Sequence, residues 1–121
     1  MMLLVDDDPG FLEAAQESLD TGRGVFFAAN ASQAMDLMQS VGSAFSIVMV
    51  DLDLPGTDGF QLIRELHTRY PDLPTIAISG VLQADVLESS RAFGAVETLR
   101  KPITGEWNQV VARTRARCHN V

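Results

Sequence analysis

Five polar residues of this chain are placed where they could do chemistry together: Asp6, Asp7, Asp51, Ser79 and Lys101. Each leaves the end of a short apolar run. Ile47-Val48-Met49-Val50 leads into Asp51-Leu52-Asp53-Leu54-Pro55-Gly56-Thr57-Asp58-Gly59, and Met1 to Val5 lead into Asp6 and Asp7. Three carboxylates gathered in one space repel, by roughly 4 kcal/mol for a pair about 4 Å apart at an effective dielectric near 20. Such a cluster holds a proton or binds a cation. Carboxylates plus a carbonyl suit a hard ion, Mg²⁺ where several waters are kept. A carboxylate beside a divalent ion can attack phosphorus and form an acyl phosphate. The phosphoryl oxygens then need further balancing, which the ammonium of Lys101 and the hydroxyl of Ser79 supply, while Gly80 leaves the approach open. Taken singly, Asp6-Asp7 also reads as an exposed acidic turn, Ser79 as a strand-end cap and Lys101 as a surface cation. The ordered set carries the reading.

The elements that must position these groups are five apolar runs alternating with five amphipathic stretches. The runs are Met2–Val5, Val25–Ala29, Ser46–Val50, Thr75–Ser79 and Ala95–Leu99. The run before Asp51 is rich in β-branched residues and does not alternate, as in a strand buried on both faces. Its Pro-Gly and Asp-Gly pairs then read as a turn. The first helix starts with Asp8 as cap and Pro9 at the first helical position, and turns Phe11, Leu12, Ala15 and Leu19 inward. The second, from about Ala31, aligns Ala34, Met35, Met38 and Val41. The third aligns Phe60, Ile63 and Leu66 before Tyr70-Pro71. The fourth carries Leu82, Val86, Leu87 and Phe93 and stops at Gly94. The fifth carries Trp107, Val110, Val111 and Thr114. Strands alternating with crossover helices predict an α/β fold with a doubly wound parallel sheet. Residues leaving the carboxyl ends of such strands share one crevice, where open α/β sheets bind ligands.

The 121 residues suffice for one domain, expected to span 1–121 with no linker, repeat or second domain following. No apolar stretch approaches the roughly 18 residues of a membrane span, and no basic lead suggests a secretion signal. Cys118 is the only cysteine, so no internal disulfide forms, and a cytoplasmic protein is expected. A net charge of −7 argues against nucleic acid or an anionic membrane as partner. The one basic cluster, Arg113, Arg115 and Arg117, reads as the solvated end of the last helix. Of nine basic residues, Lys101 is the single lysine, which favours a specific role for it. His67 is read as an exposed helical residue and His119 as tail. Trp107 is expected away from the acidic cluster, and so a poor reporter of cation binding.

These motifs together resemble the receiver domain of bacterial two-component response regulators, over essentially the whole chain. The likeness rests on Leu3-Leu4-Val5-Asp6-Asp7-Asp8-Pro9, Val48-Met49-Val50-Asp51-Leu52-Asp53-Leu54-Pro55-Gly56, Ile78-Ser79-Gly80 and Lys101-Pro102. The intervals from Asp7 through Asp51 and Ser79 to Lys101 are 44, 28 and 22 residues. The resemblance implies a CheY-like, flavodoxin-like sheet of five strands in order 2-1-3-4-5 flanked by five helices. It implies that Asp51 is the phospho-acceptor, charged by a histidine kinase or phosphotransfer protein, in a signalling switch or relay rather than an enzyme with a separate substrate. Asp6, Asp7, Asp51 and the main-chain carbonyl of Asp53 would hold Mg²⁺. Ser79 would be the switch hydroxyl, Lys101 the phosphoryl counter-charge, and the Lys101-Pro102 bond cis. An output domain or second copy would dock on helix 4, strand 5 and helix 5. One position departs: Thr98 stands where the family commonly has an aromatic ring. A threonine cannot fill the space a ring vacates, so activation uses another rearrangement, or the domain acts as a phosphate sink or relay.

Two other readings compete. Asp51-Leu52-Asp53 after a strand also suits a haloacid-dehalogenase-type phosphatase, with Asp53 as general acid, although that motif usually opens on the first strand. A pseudo-receiver, which works without phosphorylation, is the third.

Overall fold

A computed structural model describes residues 1–18, 24–54, 56, 58–102 and 106–119. Five parallel strands form one sheet in the order β2-β1-β3-β4-β5. They are β1 (Met2–Val5), β2 (Val25–Ala28), β3 (Ile47–Asp51), β4 (Thr75–Ser79) and β5 (Glu97–Arg100). The helices are α1 (Pro9–Ser18), α2 (Ala31–Val41), α3 (Gly59–Arg69), α4 (Ala84–Glu88) and α5 (Glu106–His119). The expected doubly wound five-stranded sheet with five helices is what the chain forms.

The three central strands are buried along their whole length, as their unbroken apolar runs require. Alternate residues feed two cores. On one face Leu3, Val5, Val48, Val50 and Ala77 pack with Ala34, Met38, Leu62, Ile63, Leu66 and Leu87, so α2, α3 and α4 lie there. On the other, Met2, Leu4, Met49, Ile76 and Ile78 pack with Ala15, Trp107, Val110 and Val111 of α1 and α5. Pairing Met2 with both Val25 and Ile47 makes the order reverse at β1 and β3, opening a crevice at their carboxyl ends.

Helix starts follow from local chemistry. Asp8 accepts the Gly10 amide on its side chain and the Leu12 amide on its carbonyl, the N-cap expected ahead of Pro9. Asn30 and Asp58 cap α2 and α3 in the same way. Asp58-Gly59 is therefore a cap and first turn as well as a loop end. Gly59 lies tight against β3, where a Cβ would sit 2.9 Å from the Asp51 carbonyl oxygen and from Leu52 Cα.

The differences from expectation are local. The edge strands β2 and β5 are half exposed rather than buried. β5 starts at Glu97, because Ala95 first closes a turn onto Ser90. The fourth helix is α-helical only over Ala84–Glu88 and tightens to a 3₁₀ turn over Ser89–Phe93. There Ser89 and Ser90 return their hydroxyls to the carbonyls of Val86 and Leu87, competing with the α-helical ladder. Val41 and Val86, expected inward, are partly exposed at 36% and 40%. Leu19, Pro55 and the side chain of Cys118 lie outside the described residues. No helix among the described residues is long and apolar enough to cross a membrane.

Candidate functional site

β1 ends at Val5, so Asp6 and Asp7 take the first two positions beyond it. β3 ends on Asp51 itself. The β1–β3 register aligns Val5 with Val50, placing the three aspartates at the same level of the crevice. Carboxylate oxygens of Asp6, Asp7 and Asp51 all lie within 4.8 Å of one another. Asp6 and Asp51 are buried, whereas Asp7 faces solvent. Two main-chain amides orient the buried pair: Asp8 N–H donates to Asp6 Oδ1 at 2.9 Å and Asp53 N–H to Asp51 Oδ1 at 2.8 Å.

Lys101 closes the cluster from β5. Its amide bonds the Ser79 carbonyl, which continues the β4–β5 ladder past Arg100. Its Nζ reaches Asp6 Oδ2 at 2.6 Å and Asp51 Oδ2 at 3.2 Å and lies 4.2 Å above the Phe11 ring. The Asp6 contact is the shorter of the two ion pairs. The Lys101-Pro102 bond is cis, as expected.

Burial pushes the Asp51 carboxyl up from an ordinary 3.8 to about 6. The Asp53 amide bond and Lys101 oppose this rise, while the charge on Asp6 adds to it. For Lys101 burial works against the ammonium, but Asp6 and Asp51 together outweigh it and hold its pKa above the ordinary 10.5. A buried carboxylate raised this far, beside an acidic partner and one ammonium, is short of positive charge. The donor set fits a small hard cation: three converging carboxylates, one of them open to water, with a single ammonium paired to the two that are buried.

Ser79 ends β4 one residue past Ile78, the register partner of Asp51. It is fully buried, and its Oγ donates to Asp53 Oδ1 at 2.8 Å while accepting the amides of Val81 at 3.2 Å and Leu82 at 3.0 Å. Gly80 N–H donates to Asp53 Oδ2 at 2.8 Å. The sequence reading gave Asp53 a carbonyl role toward the cation and, in the phosphatase alternative, a general-acid role, and missed its side-chain bonds to Ser79 and Gly80. No periodicity aims a side chain within an irregular loop, so only the coordinates show them.

The expected set thus meets at one end of the sheet. A cavity of about 360 Å³ lies at the opposite end, lined by Met38, Phe45, Tyr70 and Leu73 among others, and involves none of these residues. Trp107 lies on α5, the last helix, where the sequence placed it. It packs on Phe11 with ring centroids 5.8 Å apart, so one ring separates it from the Lys101 ammonium.

Residues 2–113 match the family model of the response regulator receiver domain. The chain belongs to the response regulator receiver domain family. Among curated relatives, this receiver domain is 36% identical over 101 residues to the response regulator protein FleR of Pseudomonas aeruginosa. That match covers 84% of the chain and 21% of FleR. The C4-dicarboxylate transport transcriptional regulatory protein DctD of the same species is 30% identical over 105 residues, covering 87% of the chain and 22% of DctD. The chain therefore spans about a fifth of the length of these relatives. Among solved structures, the receiver domain of NtrX from Brucella abortus superposes with a TM-score of 0.85 at 27% identity, covering 97% of this chain and 98% of that one.

Proposed function

We propose that this receiver domain takes a phosphoryl group onto Asp51 from the phosphohistidine of a sensor kinase or phosphotransfer protein. The observation that carries the reading is the convergence of Asp6, Asp7 and Asp51 oxygens at the carboxyl ends of β1 and β3, where one ammonium, that of Lys101, pairs with Asp6 and Asp51.

In the forward step an Asp51 oxygen attacks phosphorus, and the bond from phosphorus to the donor's imidazole nitrogen breaks. The electron pair stays on that nitrogen. Asp51 is held for the attack by the Asp53 amide on one oxygen and Lys101 on the other. Lys101 then balances charge on the transferred group, and Ser79 offers its hydroxyl proton. In the return step water attacks phosphorus and frees the Asp51 carboxylate. Asp6, Asp7, Asp51 and the Asp53 carbonyl would hold Mg²⁺, which when bound supplies positive charge against the phosphoryl oxygens.

The phosphatase reading loses its general acid. Both Asp53 carboxylate oxygens accept hydrogen bonds, from Ser79 and Gly80, so neither is poised to protonate a leaving group. As part of this proposal the domain occupies 1–121, works in the cytoplasm and contacts no nucleic acid itself. An output domain or second copy would dock on α4, β5 and α5, where Val86 is 40% exposed. The test is labelling of the purified chain by acetyl phosphate with and without Mg²⁺. Labelling that needs the metal and vanishes in Asp51→Asn supports the reading, and undiminished labelling of that variant defeats it.

A further inference from the structure

We infer that the Asp53 carboxylate is a latch that competes with phosphorylated Asp51 for the Ser79 hydroxyl proton and the Gly80 amide. Its strength would set how far the phosphorylated state is populated. The inference rests on the phospho-acceptor reading of Asp51 and adds a positioning residue to it.

The argument is one of donor counting. A serine hydroxyl has one proton to donate and two lone pairs to accept with. In this chain all three are committed: the proton to Asp53 Oδ1, the lone pairs to the amides of Val81 and Leu82. Gly80 has a single N–H, and it is aimed at Asp53 Oδ2. One carboxylate therefore occupies both donors that the β4 end presents. Bonds to an ionised acceptor are about twice as strong as neutral ones, and Ser79 is fully buried, so its proton cannot turn to water instead.

Asp53 is itself anchored, because its amide is bonded to Asp51 Oδ1. The latch and the acceptor thus share a two-residue segment of backbone. A phosphoryl oxygen on Asp51 can receive the Ser79 proton only after Asp53 gives it up. Turning Oγ toward Asp51 also withdraws an acceptor from Val81 and Leu82, at the entry to α4. Where the competent arrangement is only partly populated, apparent affinity falls by that fraction. Removing the competitor should restore it.

A double-mutant cycle on the full chain tests this, with beryllofluoride and Mg²⁺ as the probe. Asp53→Ala leaves intact the main-chain carbonyl proposed for the cation, and the nearly isosteric Asp53→Asn guards against loss of fold. Asn can still accept one of the two bonds without the charge. Asp53→Ala should tighten beryllofluoride binding about fivefold or more when Ser79 is present, and about twofold or less in Ser79→Ala, with Asp53→Asn between. Equal gains in both backgrounds would reduce Asp53 to long-range charge and overturn the latch, as would no gain. The Gly80 amide supplies a readout without the probe: Asp53→Ala should shift its NMR resonance and speed its hydrogen exchange. An unmoved resonance refutes the bond. A parent chain that binds no beryllofluoride, while that resonance still moves, defeats the phospho-acceptor reading and the competition with it.

Discussion

Replacing Asp51 by asparagine should make the metal-free protein more stable, although it removes the proposed acceptor. In the fold the Asp51 carboxyl titrates at about 6 against an ordinary 3.8. Between those values the native chain keeps a proton that the unfolded chain has released. Stability contributed by this group therefore falls as pH rises through the window, and the whole penalty stands above it. At 1.36 kcal/mol per unit the ceiling is about 3 kcal/mol. Asp51 shares its titration with Asp6, so the expected gain is on the order of 2 kcal/mol. Asparagine can keep an oxygen for the Asp53 amide and loses the charge, and the lost pairing with Lys101 is already counted in the shift.

The assay is urea unfolding of both proteins in chelator, at about pH 7.5 and about pH 5. The gain should be full at the higher pH and about half as large at the lower. Added Mg²⁺ should narrow or reverse the order. A ligand bound only to the native state adds about 2.7 kcal/mol at a hundredfold excess over its Kd, and Asp51 is one of the proposed ligands. A variant less stable than its parent in chelator at the higher pH would refute the reasoning. So would a gain that is the same at both values.

Lys101→Met removes the ion pairs to Asp6 and Asp51 and should cost about 3 kcal/mol in metal-free urea melts. Because the Lys101 pKa is raised, its contribution is full at neutral pH and fades as pH climbs past 10.5, so parent and variant should converge there. Gly59→Ala puts a Cβ 2.9 Å from the backbone of Asp51 and Leu52 and should cost about 1–3 kcal/mol and slow acetyl phosphate labelling. A neutral effect in both measurements would contradict the close approach. Trp107 emission should respond to Mg²⁺ when the cation draws on the carboxylates that hold Lys101 over Phe11. Phe11→Leu should mute that response, and an equal response without the ring would place its origin elsewhere.

The acidic cluster was legible in the sequence because strand ends are. Val5 and Val50 close unbroken apolar runs, and a doubly wound sheet gathers whatever follows those runs at one edge. The same logic carried Ser79 and Lys101, which leave neighbouring strands. Edge strands were less legible. Glu97 and Thr98 belong to β5 yet interrupt the apolar run Ala95–Leu99 that marks it, because one side of an edge strand answers to water and to neighbouring ion pairs. The break in the fourth helix was hidden for another reason. Ser89 and Ser90 look helix-compatible, and only their return bonds to Val86 and Leu87 tighten the turn. The Asp53 carboxylate and the Trp107–Phe11–Lys101 stack were out of reach, since each depends on side-chain directions that no repeat encodes.

Thr98 stands where the family commonly has a ring, and its surroundings show what joins α4 to β5 in the ring's absence. Its hydroxyl donates to Glu88 Oε2 at 3.1 Å. Arg91, and then Thr98, hold the Glu88 carboxyl below its usual range. Arg91 goes on to the Val96 carbonyl at 2.7 Å and to Glu97, which pairs in turn with Arg113 of α5. These bonds lie in solvent, where ion pairs resist displacement poorly. The inner contact is different in kind. Ser79 Oγ holds the Val81 and Leu82 amides, and Arg100 bonds the Leu82 carbonyl, so the entry to α4 is tied by its own backbone. Leu87 is the one buried residue in the α-helical turns that follow. A short segment with a single buried anchor is among the least costly parts of a fold to move. A change in the Ser79 hydrogen bonds therefore acts on α4 through main-chain amides, and no rotating ring is required to carry it.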